Sequence, residues 1–168
     1  TLPRSCAAVF FSALPTTFLP SRALRTDNKF SGYVLPCSFD VDTLEIQNNY
    51  LSGTISDPIT RRARSIQIGN VDWESRGYGN NQISGTFPSV LLSNEIPLTR
   101  IGLEDNLFSG TLPSTCGQTL QSLSLGGGAG RNIMSGYIPE CLFQLETLRG
   151  LSLSENSFSG DLEFGYDS

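Results

Sequence analysis

Histidine is missing from the 168 residues, and with it go the Ser-His-Asp triad, the Cys-His pair, His-based proton transfer and the common zinc sites. A phosphate-binding P-loop needs Lys followed by Ser or Thr, whereas the single Lys, Lys29, precedes Phe30. Two carboxylates at the right separation suffice for glycoside hydrolysis, and Glu45, Glu104 and Asp105 are the acids on or beside short strand-like stretches. Glu45 and Glu104 stand in different repeats two coils apart, at about 5 Å per coil, which reads as a solvated acidic face. Asp40 and Asp42 lack the further oxygen ligands of a calcium loop. Gly126-Gly127-Gly128-Ala129-Gly130 follows a strand and opens no helix, so it reads as a flexible insertion and not as a dinucleotide loop. No catalytic residue, metal or cofactor is expected. What remains is the chemistry of recognition: Trp73, Arg76 and Tyr78, the residue types that dominate binding hot spots, lie together in a Gly-punctuated stretch.

These residues need a scaffold, and the scaffold repeats. A phrase N-x-[hydrophobic]-S-G begins at Asn28, Asn49, Asn81, Asn106, Asn132 and Asn156, with successive separations of 21, 32, 25, 26 and 24 residues. Upstream of each copy after the first stands a brief alternation of apolar and polar positions, as in Leu44/Ile46, Ile66/Ile68, Ile101/Leu103, Leu123/Leu125 and Leu151/Leu153, the period-2 mark of a strand. Downstream comes [T/Y]-[I/L/F]-P, as in Thr86-Phe87-Pro88, Thr111-Leu112-Pro113 and Tyr137-Ile138-Pro139. Proline removes a donor and prevents a central strand from continuing. One unit carries too little apolar surface to fold alone, so successive units must stack, with parallel strands on one side and the Pro segments returning on the other. An Asn pointing into such a stack needs partners for both its carbonyl and its amide, and backbone groups of neighbouring coils can supply them. The Ser-Gly that follows suits a tight corner.

The combination L-x-x-L-x-L followed by N-x-[L/F/I]-S-G-x-[I/L]-P resembles the plant-type subclass of leucine-rich repeats, most cleanly from Thr99 to Cys116, and the likeness runs over about residues 19–164. The resemblance implies an α/β-type solenoid with little helix: a right-handed superhelix of about six repeats whose inner parallel sheet carries the binding surface. It also implies the company of receptor-kinase ectodomains, receptor-like proteins and polygalacturonase inhibitors. The departures are local. Ala23-Leu24 is displaced by one residue, Ser56 replaces the Pro of the second copy, and the last copy ends in Asp161-Leu162-Glu163 without Pro. Residues 1–20 read as a lid or degenerate repeat and 21–168 as the repeats, a segment of a longer chain whose signal peptide has been removed.

Alternation with the buried Leu and Ile predicts an inner face of Glu45, Gln47, Ser65, Gln67, Arg100, Glu104, Ser122, Ser124, Ser152 and Ser154. It is small and polar, suited to a peptide, a glycan or a protein segment. The third copy is about ten residues longer between Ile68 and Asn81, and that insertion holds Trp73, Arg76 and Tyr78. It either frames a site with the Gly126 loop or folds Trp73 back onto its own coil. A second hypothesis is structural, with apolar end coils stacking on a neighbouring chain into a fibre.

The four Cys permit three pairings. Cys116 and Cys141 sit at nearly equivalent places in consecutive repeats, which stacking brings side by side, leaving Cys6 and Cys37 near the N-terminal end; four buried thiols are the alternative. Disulfides point to an extracellular or cell-surface setting. The net charge of −5, with Arg61, Arg62 and Arg64 the one basic cluster, argues against a nucleic-acid surface. No apolar run approaches the ~18 to 20 residues of a membrane span. No N-x-[S/T] acceptor is present.

Overall fold

A computed structural model describes residues 22–24, 31–34, 42–55, 62–69, 81–126 and 132–161, with 22–24 and 32–34 as backbone. Residues 1–21, Asn28, Cys6, Cys37 and the insertion bearing Trp73, Arg76 and Tyr78 lie outside the described residues. Among those described, each coil contributes one strand to each of two parallel sheets. The first sheet holds β1 (Arg22–Leu24), β3 (Thr43–Glu45), β5 (Ser65–Gln67), β7 (Arg100–Gly102), β9 (Ser122–Ser124) and β11 (Gly150–Ser152). The second holds β2 (Ser31–Val34), β4 (Tyr50–Thr54), β6 (Gln82–Thr86), β8 (Leu107–Gly110), β10 (Ile133–Tyr137) and β12 (Ser157–Ser159), stacked in the same coil order. Among the described residues helix is confined to a 3₁₀ turn at Ser89–Leu92 and one turn, α1, at Glu140–Phe143, each following a proline.

Registration turns the alternation into columns. Leu44, Ile66, Ile101, Leu123 and Leu151 are in line across the first sheet. Behind them lies the column Ile46, Ile68, Leu103 and Leu125, and from the second sheet come Leu51, Ile83, Phe108 and Met134, all buried. The return segments close the core with Phe87, Leu91, Leu92, Leu112, Leu120 and Leu142. Three-residue strands cannot bury a face alone; each Leu or Ile is covered only because a coil lies on either side of it. In the last described coil Leu151, Leu153 and Phe158 are accordingly only half-buried.

The asparagine ladder forms. Asn81, Asn106, Asn132 and Asn156 each accept, through Oδ1, the backbone N–H of Leu51, Ile83, Phe108 and Met134 in the preceding coil, at 2.9 to 3.1 Å. Their amides donate to the carbonyls at the turn off the first sheet, as Asn81 does to Ile46 and Ile68 and Asn132 to Leu103 and Leu125. Asn49 donates likewise to the Ile46 and Gln47 carbonyls. Where the turn is short it is made by the residue ahead of the ladder Asn: Asn48, Asp105 and Glu155 all have φ between 52° and 57°, the left-handed region that Asn and Asp tolerate best.

The Ser-Gly pair is not a corner, as its composition suggests, but part of the second sheet. Ser84 and Ser109 donate Oγ to the carbonyls of Gly53 and Gly85 one coil earlier. Gly85 and Gly136 have φ of 104° and 84°, and a Cβ on either would meet the Thr54 or Thr111 methyl of the preceding coil at 3.3 or 2.8 Å. Glycine thus supplies both the backbone angle and the space for a threonine of the neighbouring coil. The Cys116–Cys141 disulfide is present, with a Cα–Cα distance of 5.7 Å, and ties consecutive coils together on the return side.

Candidate functional site

The first sheet presents a polar surface whose rows follow from strand registration. Thr43, Ser65, Arg100, Ser122 and Gly150 lie along one edge, and Glu45, Gln67, Gly102, Ser124 and Ser152 form the next outward row. Two residues further along each coil come Gln47, Gly69, Glu104, Gly126 and Ser154. The fold therefore brings Glu45, Gln47, Gln67 and Glu104 onto one half of the face and leaves Arg100 on the opposite edge. Arg100 stands there near Arg64, whose carbonyl accepts the Thr99 and Arg100 N–H groups at 2.8 and 3.1 Å. Arg62, from the basic cluster, pairs with Asp42 at 3.7 Å on the exposed rim.

Glycines that composition alone gave no reason to single out organise the centre of this face. A Cβ on Gly69 would overlap the Glu104 backbone and Oε2; a Cβ on Gly102 would overlap Gln67 Oε1 and lie 3.0 Å from Glu104 Oε2. Gly126 is similarly pressed on the Ser154 backbone, which gives the start of the glycine-rich insertion a packing role. The signal was available in the strings S-I-Q-I-G and R-I-G-L-E: a glycine in an outward strand slot marks a close approach.

Between Gly69 and Gly102 lies the Glu104 carboxyl. Burial raises its pKa above the ordinary carboxylate value and the adjacent Asp105 charge pushes the same way, opposed by hydrogen bonds from the Ser124 hydroxyl and its own backbone. Its Oε2 is sealed from solvent with no hydrogen-bond partner, as is Oε1 of Gln47. This half of the sheet is thus rich in oxygen acceptors and, among the described residues, carries no cation.

A second surface escaped the sequence reading. The residue after the ladder Asn points outward from the second sheet, and at Tyr50, Leu107 and Ile133 it is a large apolar side chain; Tyr137 adds another, 76% exposed. Among the described residues, no group of three or more His, Cys, Asp or Glu side chains is placed to hold a metal. No helix of the described chain is long and apolar enough to cross a membrane.

No protein-family profile matches the chain. It is 32% identical over 125 residues to Receptor-like protein 7 of Arabidopsis thaliana, a match covering 73% of this chain and 11% of that protein. The chain therefore spans about a tenth of the relative's length. Among solved structures, the complex of BIR3 and SERK2 from Arabidopsis thaliana aligns with a TM-score of 0.58 and 21% identity over 83% of this chain and 69% of that one. The plant peptide hormone receptor RGFR1, solved with RGF2, aligns at 0.54 and 24% identity over 82% and 24% of the two chains. The Arabidopsis receptor kinase HAESA, solved with the peptide hormone IDA and the co-receptor SERK1, aligns at 0.52 and 24% identity over 80% and 25%. At these identities the structures speak for the fold.

Proposed function

Because the chain is a leucine-rich-repeat protein with the plant-type repeat, we propose that it is an extracellular recognition module, and not an enzyme, that binds a peptide or protein segment across its first sheet. The observation that carries this reading is the face itself: a registered array of Glu45, Gln47, Gln67, Ser122, Ser124, Ser152 and Glu104 on a rigid parallel sheet, with Arg100 at its far edge. Such a surface offers hydrogen bonds at coil spacing to an extended backbone. Trp73, Arg76 and Tyr78, on the insertion that follows Gly69, are proposed as anchors beside it, supplying the aromatic area the sheet lacks. The likeness to Receptor-like protein 7 supports the setting; of the proteins that share the fold, HAESA was solved with the peptide hormone IDA, and RGFR1, solved with RGF2, is a plant peptide hormone receptor. The inter-coil disulfide supports an oxidising compartment. A glycan is a weaker fit for the described face, which has no aromatic platform.

The test is selection of binders from a displayed random-peptide library, followed by hydrogen exchange of the complex. Protection of the backbone around Glu45, Gln67 and Ser124, and loss of binding in a Trp73→Ala/Arg76→Ala double variant, are expected. Protection confined to the second sheet would overturn the reading.

One observation favours a second reading, end-to-end assembly. Leu151, Leu153 and Phe158 of the last described coil are half-buried, and among the described residues no ladder Asn caps the Phe158 N–H as Asn132 caps that of Phe108. Light scattering across a concentration series decides it, since a strict monomer at all concentrations sinks the assembly reading.

A further inference from the structure

The recognition face contains one group that is badly placed as an anion. Glu104 lies two residues past the start of its turn from Gly102, with Gly69 beside it in the preceding coil and Ser124 in the following one. The two missing side chains leave a notch, and the Glu104 carboxyl fills it. Ser124 and the residue's own backbone each give the carboxyl a hydrogen bond, while Oε2 has no partner and no solvent. A neutral acid tolerates that environment; a carboxylate loses hydration with little in return. Glu104 as a residue is only half-buried, so rotation about its own side-chain bonds can bring the carboxyl out to water.

Once out, the anion would face neutral Gln and Ser side chains and further carboxylates. The Glu45/Gln67/Gly102/Ser124 row and the Gln47/Gly69/Glu104/Gly126 row contain no cation. Asp105 adds a like charge next door, Glu45 another two coils away, and the strands on either side offer Arg64 and Arg100 only at the far edge of the sheet. Asp72, Glu74, Arg76 and Arg131 belong to segments outside the described residues. Among the described residues, then, no counter-charge faces the Glu104 carboxylate.

We propose that Glu104 is a two-position anchor of this face: as the acid it lies in the Gly69–Gly102 notch beside Ser124, and as the carboxylate it swings out to hold an ammonium or guanidinium group of the ligand. The proton leaves to solvent as the cation arrives. The proposal rests on the reading of the first sheet as the binding face and names what that face selects. Linkage then requires affinity for a cationic ligand to rise with pH, by at most about tenfold per pH unit.

The experiment follows carboxyl carbon shifts of the whole chain by NMR, from pH 4 to 8, with either acetyl-Gly-Arg-Gly-amide or its citrulline counterpart, a neutral shape match. The Glu104 midpoint is expected above the ordinary carboxylate value. The arginine peptide should lower it by half a unit or more at saturation, and the citrulline peptide should not. Gly102→Ala, which fills the notch where only side-chain ends obstruct it, should lower the midpoint with no peptide present. In Glu104→Gln the pH dependence of arginine-peptide binding should vanish while the fold persists. Equal effects of the two peptides, or an unchanged midpoint in Gly102→Ala, would overturn the anchor. Library ligands that protect the second sheet, together with a selective arginine shift, would overturn the broader reading of the face and leave Glu104 as a cation site.

Discussion

Asn106 and Asn156 occupy the same place in their coils and differ in cover. Asn106 is buried, accepts the Ile83 N–H and donates to the Leu103 and Glu104 carbonyls; Asn156 makes the equivalent bonds half-exposed. Replacing Asn106 with Leu strands buried backbone groups and should cost about 1 to 3 kcal/mol. Asn156→Leu should cost distinctly less, because water reaches its partners; urea unfolding of both variants makes the comparison. Glu155 carries a different strain, a left-handed φ of 57° without the tolerance of Asn or Asp, so Glu155→Asn should stabilise by about 1 kcal/mol. Glu104 supplies a pH prediction. Its pKa in the folded chain lies above the ordinary value of a glutamate carboxyl, so the folded chain holds the proton more tightly than the unfolded chain does. The stability this contributes is fully present below the unfolded value and is lost as pH rises through the folded one. Glu104→Gln keeps the neutral form: it should match the parent in thermal midpoint near pH 4 and exceed it at pH 7. A difference that grows toward low pH would contradict this.

The elements were legible unevenly, and the reasons are physical. The first-sheet strands announce themselves because Ile66/Ile68 and Ile101/Leu103 alternate with polar residues on an open face. The second sheet was hidden inside the phrase that identified the repeat. Ser-Gly-Thr has no apolar alternation, and its reason for being extended lies in the next coil, where the Thr54 methyl packs where Gly85 has no Cβ. Such inter-coil complementarity cannot be seen one repeat at a time. The exposed Tyr50, Leu107 and Ile133 follow from the same omission, since a residue thought to sit in a corner has no face. The Gly69–Gly102 notch was legible only as glycines in strand slots, and the part Glu104 plays in it depends on coils 35 residues apart in number. Gly136→Ala tests the account at this scale. It meets the Thr111 methyl at 2.8 Å on a backbone of positive φ and should destabilise by about 1 to 2 kcal/mol, and Thr111→Ser, which removes that methyl, should recover part of the loss.

At the scale of the molecule, stability in a stack is the sum of coils and the interfaces between neighbours. The coils of β5, β7 and β9 are covered on both sides, and their Ile66, Ile101 and Leu123 are buried, whereas Leu151 is not. Amide exchange should therefore be slowest in those three coils and fastest at β11 and β12. The Cys116–Cys141 bridge spans 25 residues across one such interface, and replacing both Cys with Ala should cost about 2 to 4 kcal/mol, with the exchange protection of β9 and β11 lost together. Slow exchange at β12 equal to that at β7 would contradict the picture of additive coils.

The asparagine bonds have a sense of direction that the sheets lack. In every described ladder pair the side-chain oxygen reaches back to the coil before it, so along the ladder a coil is completed by its successor. The solenoid is in this respect vectorial, like a crystal face that accepts new layers on one side only. An excision that runs from one ladder Asn to the next removes a coil and leaves the following Asn to serve the coil now beneath it. A truncation that takes the same number of residues from the far end leaves a row of donors with nothing to meet.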